Sequence, residues 1–253
     1  MTGAGGGIGL EIARRFVGDG GAVVLADLNP ERGTAAVAEL GDDRVAFVES
    51  DVSLEADVER VFDAAGRRFG RVDAVFNNAG IGGAFGPIVK QTVDAWDATF
   101  AVNVRSVFLG TKHGARVMIE QGTGGTIVNT ASVAGLSGGG GPQAYSATKA
   151  AVISLTQTTA VELAQHRIRV NAVCPGAIYT ELLHRGRPEQ TDRWREEIQP
   201  WPERGLPEMI ADVACWLASD ASRFVTGEAV TADGGLMAAT PRLIDHDLAH
   251  LRR

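Results

Sequence analysis

A doubly wound α/β fold, in a single domain over 1–253, is the architecture this sequence predicts. Three observations carry that reading. Apolar runs alternate with helix-periodic stretches along the chain, as in sheets built from strand–helix–strand units. The apolar runs are rich in Val, Ile and Ala without polar alternation, which marks strands buried on both faces and hence a parallel sheet. The chain also opens MTGAGGGIGLEIA, a glycine-rich turn running into a helical stretch.

Taken in order, that helical stretch covers 8–18 and leads to a strand at 22–28 (AVVLADL). A helix over 30–40 precedes the strand RVAFVES at 44–50, and a helix over 54–68 precedes RVDAVFNN at 71–78. The pattern then predicts a long helix at 93–120, the strand GTIVNTAS at 125–132 and a second long helix at 143–165. IRVNAVCP at 168–175, a helix over 207–219 and EAVTADGG at 228–235 complete it. Two segments break the alternation. Residues 177–206 follow a strand's carboxyl end, where open α/β sheets bind ligands, and their length suits a substrate lid or loop. The tail 236–253 either docks its leucines on a neighbouring subunit or frays.

Composition narrows the function classes. A formal net charge of −7 argues against nucleic-acid or anionic-membrane partners. No apolar run is long enough to span a bilayer, and no secretory leader pattern opens the chain, so the expected location is cytoplasmic. Cys174 and Cys215 lack metal or redox spacing and read as two buried thiols. No metal site is expected.

In TGAGGGIG the glycines at 3, 7 and 9, with Ile8 between the last two, are spaced for close backbone approach to a pyrophosphate. The following helix would aim its N-terminal N–H groups at the anion. Asp27 ends the next strand, where a carboxylate can accept hydrogen bonds from both adenosine ribose hydroxyls and repel a 2′-phosphate. Neither the loop nor the neighbours Ala26 and Leu28 supply a basic side chain. The reading is NAD rather than NADP; the bland alternative for Asp27 is a solvated turn acid.

SVAGLSGGGGPQAYSATKA holds the chemistry. Tyr145 and Lys149 share a helix face at i, i+4. A phenol near pKa 10 is a poor proton carrier at neutral pH unless a nearby cation favours the phenolate. Ser132, ending the preceding strand, can polarise a substrate oxygen. Each residue alone has an ordinary structural explanation; together they suit proton transfer coupled to hydride transfer.

Together these stretches resemble the short-chain dehydrogenase/reductase family, from residue 2 to about 236. The resemblance rests on TGAGGGIG (2–9), DV (51–52), NNAG (77–80), Asn103 in FAVNVRSVF, Ser132 in IVNTAS, YSATK (145–149), PGAIYT (175–180) and ADGG (232–235). It implies a Rossmann-like sheet and a catalytic tetrad of Asn103, Ser132, Tyr145 and Lys149. It further implies cofactor contacts from Asp51 and Val52 at the adenine, Asn78, Ala79 and Gly80 along the adenosine side, and Pro175, Gly176, Ile178 and Thr180 at the carboxamide. Tyr145 and Lys149 would also touch the cofactor, Asn77 would brace the sheet, and the long helices would build a homotetramer.

One feature departs from the family: the apolar first strand before the Thr-Gly is absent. Burying one large apolar side chain contributes roughly 1.5–3 kcal/mol, so a missing central strand is a serious deficit. Because valine commonly stands there and GTG also serves as a start codon, the expectation is a natural start several codons upstream; the rival reading is a true truncation. The leading function is hydride transfer between NAD(H) and a secondary alcohol or ketone. An NADPH-dependent 3-oxoacyl-carrier reductase and a non-catalytic dinucleotide-binding remnant are the alternatives.

Overall fold

The computed structural model describes residues 1–41 and 43–239. Strand β1 (Val23–Asp27) pairs in parallel with β2 (Val45–Glu49), from Val23 opposite Val45 to Asp27 opposite Glu49. Strands β3 (Ala74–Asn77), β4 (Gly125–Thr130), β5 (Ile168–Pro175) and β6 (Ala229–Ala232) form a second parallel block in that order. All pairings are parallel, as the continuous apolar runs predict.

The sheet is not continuous. Between β1 and β3 only Met1 and Thr2 reach across, so the expected single sheet is two blocks joined at one end. Ala26 N–H donates to Met1 O at 2.9 Å, and Thr2 N–H donates to Phe76 O at 3.1 Å. Chain order runs outward from this join in both directions, to β2 on one side and to β6 on the other. The join is therefore the topological switch point, and the crevice at the carboxyl ends of its strands is where a ligand binds in such a sheet.

Alternate residues of the larger block face opposite helix layers. Phe76, Val128 and Val173 pack against Ile12 of α1 (Gly7–Gly18) and against Ile210, Ala214 and Leu217 of α9 (Pro207–Ala218). Val75, Ile127 and Val170 pack against Ala115 and Met118 of α5 (Ser106–Gln121) and against Ala160 and Leu163 of α6 (Gln143–Leu163). Around the smaller block lie α2 (Pro30–Leu40), capped by Asn29 accepting from Arg32 N–H, and α3 (Glu55–Phe69). Away from the crevice, α3 and α5 meet at Glu55, Glu59 and His113; the buried His113 ring lies 3.0 Å from Glu55, which also pairs with Lys112.

Three expected elements differ. The helix predicted at 93–120 is α4 (Val93–Phe100), then a π-helical turn at 101–105, then α5. The lid 177–206 contains two helices, α7 (Glu181–His184) and α8 (Pro188–Ile198). Strand β6 stops at Ala232, where Asp233 folds the chain back by accepting from Gly235 N–H and Met237 N–H. The expectation for the tail 236–253 falls outside the described residues beyond 239. Cys174 is buried as expected, whereas Cys215 is half-buried; burial pushes both thiols up to about 11.

A methyl group on Gly9 would lie 2.1 Å from Gly3 O, while one on Gly6 would meet nothing within 4 Å. Gly9→Ala should therefore lower Tm by about 5 °C or more through overpacking. Gly6→Ala, in extended backbone, should stay within about 2 °C of the parent. Paired thermal melts of the two variants check this.

Candidate active site

The crevice is a cleft of about 1690 Å³ whose walls include the glycine turn, the carboxyl ends of β1, β3, β4 and β5, and the lid. Asn78 pins the glycine turn. Its side-chain amide donates to Thr2 O and Gly3 O, both at 3.3 Å, and its Oδ1 accepts from the Thr130 hydroxyl at 3.1 Å. In return Thr2 Oγ1 accepts the N–H groups of Asn78 and Ala79. Gly3 and Gly7 adopt left-handed φ of 63° and 54°. No side chain caps the N-terminus of α1 and no acid stands in its first turn, so its N–H groups are available to an anion. Glycine backbone, open space at Gly6 and an uncapped helix start together fit a dinucleotide pyrophosphate.

Asp27 lines the same cleft. Its two oxygens accept Gly5 N–H at 2.8 Å and Asn29 N–H at 3.0 Å, which fixes the carboxylate's position. The sequence reading missed Arg32, which also lines the cleft beside Asp27 and pairs with Glu181 of α7 at 2.8 Å. The local premise of no basic neighbour is thus corrected: α2 turns back on its Asn29 cap and brings its first turn to the glycine loop. Asn29-Pro30 is a helix-start signal from which that fold-back was readable.

At the other end of the cleft stand Ser132, Tyr145 and Lys149. Ser132 Oγ accepts Ala134 N–H at 3.1 Å, which leaves the hydroxyl proton to donate, and it hydrogen bonds the Tyr145 phenol. Burial raises the Tyr145 pKa above its ordinary value, and the Ser132 hydrogen bond opposes that rise. The expected lowering by Lys149 is not among the forces acting on the phenol here. Lys149 Nζ lies 5.6 Å from the Tyr145 ring centre and donates to Thr130 O at 2.6 Å. Burial pushes its own pKa down to about 8, because desolvation penalises the ammonium.

Asn103 is buried in the π-helical turn, a distortion that recurs at functional sites. Its amide donates to Ile81 O and to Thr148 Oγ1, and its Oδ1 accepts Ile81 N–H. A methyl on Gly80 would lie 3.4 Å from Asn103 Oδ1 and 3.6 Å from Lys149 Nζ, so both side chains border the same gap.

Gly3, Gly7, Ile8, Asn78, Ala79, Gly80, Pro175, Gly176, Ile178 and Thr180 also line the cleft. Others of the anticipated residues stand elsewhere. Gly9 packs beneath Gly3, and Asp51 accepts from Ser53 N–H and Oγ while its own N–H donates to Asp57. Val52 lines the gap between the sheet blocks. Asn77 is buried and donates to Asn129, as a sheet brace does. In the lid, Leu182 and Trp194 reach the cleft, joined by Phe85, Leu183, Ile198 and Met237.

Fold and cleft define a dinucleotide-binding α/β oxidoreductase. The chain belongs to the short-chain dehydrogenase/reductase family, whose members bind a nicotinamide dinucleotide. Residues 3–237 match the family described as Enoyl-(Acyl carrier protein) reductase. The chain is 39% identical over 244 residues to 3beta-hydroxysteroid dehydrogenase 2 of Eggerthella lenta, covering 93% of this chain and 92% of that one. It is 38% identical to 2,5-dichloro-2,5-cyclohexadiene-1,4-diol dehydrogenase of Sphingobium indicum, covering 94% and 96%. The crystal structure of levodione reductase superposes with a TM-score of 0.89 at 38% identity, covering 94% of this chain and 96% of the other.

The buried ammonium gives a measurable sign. Lys149 holds its proton up to about 10.5 unfolded but only to about 8 folded. Between those values the unfolded chain binds the extra proton, so this group's contribution to stability rises with pH, and its full penalty applies below pH 8. Lys149→Met should therefore raise Tm most at pH 7, and the gain should shrink towards pH 10. Melts of both proteins across that range test it; a constant difference would mean the lysine stays charged throughout.

Proposed function

We propose that the protein is an NAD-dependent dehydrogenase acting on a secondary alcohol, or on the ketone in reverse, with Tyr145 carrying the proton. The observation that supports it best is the meeting of Ser132, Tyr145 and Lys149 on the wall of the cleft that also holds the glycine turn and Asp27. When bound, the nicotinamide supplies the hydride acceptor or donor. Ser132 turns its hydroxyl proton from the phenol to the substrate oxygen and holds that oxygen beside Tyr145. Tyr145 takes the alcohol proton in oxidation and returns it in reduction. Lys149, when charged, favours the phenolate through its field, and the family resemblance assigns it the nicotinamide ribose. Asn103 sits beside Lys149 at the Gly80 gap, where the resemblance places the route by which the proton leaves.

Asp27 supports NAD over NADP. Its carboxylate is held rigidly by two backbone donors, so a 2′-phosphate would be placed against a fixed negative charge. Arg32 works against this reading only to the extent that a 2′-phosphate can draw its guanidinium from Glu181, with which it pairs at 2.8 Å.

The substrate end of the cleft is walled by Phe85, Leu182, Leu183, Trp194, Ile198 and Met237, with Glu196 and Glu197 alongside. Flat apolar surface of this kind suits a ring-bearing substrate, and the relatives named above are dehydrogenases of a hydroxysteroid and a cyclohexadienediol. The same acidic residues disfavour an acidic carrier protein as the bearer of the substrate. A homo-oligomer in the cytoplasm completes the reading. It is supported by apolar side chains left exposed on the long helices, Phe108 at 48% and Val161 at 82%. No described helix is long and apolar enough to cross a membrane.

Two substitutions test this. Tyr145→Phe should cut turnover of a cyclic secondary alcohol by about 10²–10⁴-fold while NADH affinity, followed by fluorescence titration, stays within about twofold of the parent. Undiminished turnover would remove Tyr145 from the reaction. Asp27→Ala should weaken NADH binding by roughly 10-fold or more, as loss of charged hydrogen bonds does, and narrow its advantage over NADPH. Equal affinity for both nucleotides in the parent protein would overturn the NAD assignment.

A further inference from the structure

Where α3 meets α5, a buried histidine has only half of its hydrogen bonding met. His113 of α5 is 1% exposed. Its Nε2 lies 3.0 Å from Glu55 Oε1, and the same oxygen takes the Lys112 ammonium at 2.6 Å. Its Nδ1 is buried and has no hydrogen-bond partner. Burying a polar nitrogen unpaired costs free energy that an apolar side chain at this position would not.

A carboxylate faces that nitrogen. Glu55 and Glu59 stand one turn apart on α3, and Glu59 Oε1 lies 3.9 Å from Nδ1. The separation is too long for a hydrogen bond, which ends near about 3.2 Å. It is too short for a bridging water, whose two bonds of about 2.8 Å would hold the partners about 4.5 Å apart. Zinc binds imidazole nitrogen and carboxylate oxygen at about 2.0–2.2 Å each, so two ligands of one ion stand about 3.4–4.2 Å apart. The Glu59 side chain is 48% exposed and can rotate to adjust the angle.

The surroundings match those of a metal-bound histidine. Ligating imidazoles commonly donate their other ring N–H to a carboxylate, which fixes the tautomer and turns the lone pair to the metal. Here Nε2–H donating to Glu55 leaves the Nδ1 lone pair facing Glu59, and Lys112 steadies Glu55 in turn. The Phe62 ring packs beside the imidazole, centre to centre 6.2 Å. Ligand atoms of Glu55, Glu59 and His113 all lie within 4.8 Å of one another. Cysteine spacing predicted no metal site; this one uses no cysteine, and its donors come from two helices far apart in sequence, so no short motif announces it.

We propose that His113 Nδ1 and Glu59 bind a divalent ion of zinc type at the α3–α5 junction, with water completing the coordination and Glu55 holding the opposite ring nitrogen. Imidazole with carboxylate favours zinc over the hard cations magnesium and calcium. The role is structural, since none of the three residues lines the cleft. Helix α3 packs on the smaller sheet block through Val61, and α5 on the larger through Ala115 and Met118. An ion shared by the two helices clamps the two blocks together.

Zinc chloride added to the full, metal-free chain tests this, followed by calorimetry and by NMR of the imidazole nitrogens. The parent should take up zinc saturably and shift its His113 Nδ1 signal while Nε2 keeps its proton. Its Tm should rise, because a ligand of the native state alone stabilises it. Glu59 is the ligand to replace, since substituting buried His113 endangers the fold. Glu59→Gln should weaken zinc uptake by about tenfold or more and leave the metal-free Tm within about 2 °C of the parent. Lys112→Met removes a competing cation and no ligand, so it should bind zinc at least as tightly as the parent; loss of binding there would count against the site. Equal zinc affinity in the parent and Glu59→Gln, or displacement of zinc by equimolar magnesium, would overturn it. A protonated Nδ1 at neutral pH that ignores zinc would mark an imidazolium between two carboxylates, and would overturn it equally.

Discussion

The Met1–Thr2 pair joins the two halves of the sheet: Met1 O accepts Ala26 N–H from β1, and Thr2 holds the β3 side. Thr2 N–H reaches Phe76 O, its hydroxyl oxygen accepts the N–H groups of Asn78 and Ala79, and its carbonyl takes the Asn78 amide. These contacts set the distance between β1, which carries Asp27, and β3, which leads to Gly80 beside Lys149. They also fix the exit direction of the glycine turn, because Asn78 grips Gly3 O as well. The Asp27 end and the Tyr145 end of the cleft therefore share one positional reference. A shift at Thr2 would move Asp27 relative to Tyr145, although neither residue touches it.

The Tyr145 end rests on an unfavourable element that its surroundings hold in place. Burying an ammonium is costly unless it is paired, and Lys149 finds only the neutral carbonyl of Thr130 at hydrogen-bond distance, with no carboxylate near enough to form an ion pair among the described residues. That arrangement leaves its proton loosely held, near pH 8. The phenol is pushed the other way by its own burial. The two groups are thereby moved apart, the phenol up and the ammonium down, so a proton shared between them rests on the phenol. A carboxylate partner for Lys149 would hold its proton more tightly and bring the two values closer again.

Much of this was legible in the sequence, and the exceptions have physical causes. The strand cores were readable because burial on both faces demands unbroken Val, Ile and Ala, as in VVLA at 23–26 and IRVNAV at 168–173. The Tyr145–Lys149 face follows from helix geometry alone. The π-helical turn was hidden: FAVNVR contains no glycine or proline, and the distortion accompanies Asn103 bonding the distant Ile81 backbone. Arg32 was overlooked because sequence adjacency to Asp27 was weighed, whereas adjacency in space comes from a capped helix turning back. Leu236 and Met237 reach the cleft through the Asp233 turn, which an unbroken strand to Gly235 would not allow.

The lid shows how the two ends could be coupled by unequal anchoring. The far end of α8 is built in: Gln199 donates to Trp201 O and Glu203 O, Arg195 is buried, and Trp201 N–H reaches Gly234 O beyond β6. Short α7 is held more lightly, by Arg185 stacked 3.7 Å above the Phe85 ring and by the exposed Arg32–Glu181 pair. An exposed pair of that kind contributes about 0–1 kcal/mol. Between the helices Arg185 adopts φ of 48° and Gly186 φ of 79°, a left-handed joint where small backbone rotations redirect α7 without disturbing α8. Arg32 is the contact that ties this lighter half to the adenosine end. Loss of the Arg32–Glu181 pair would therefore loosen the wall carrying Leu182 and Leu183.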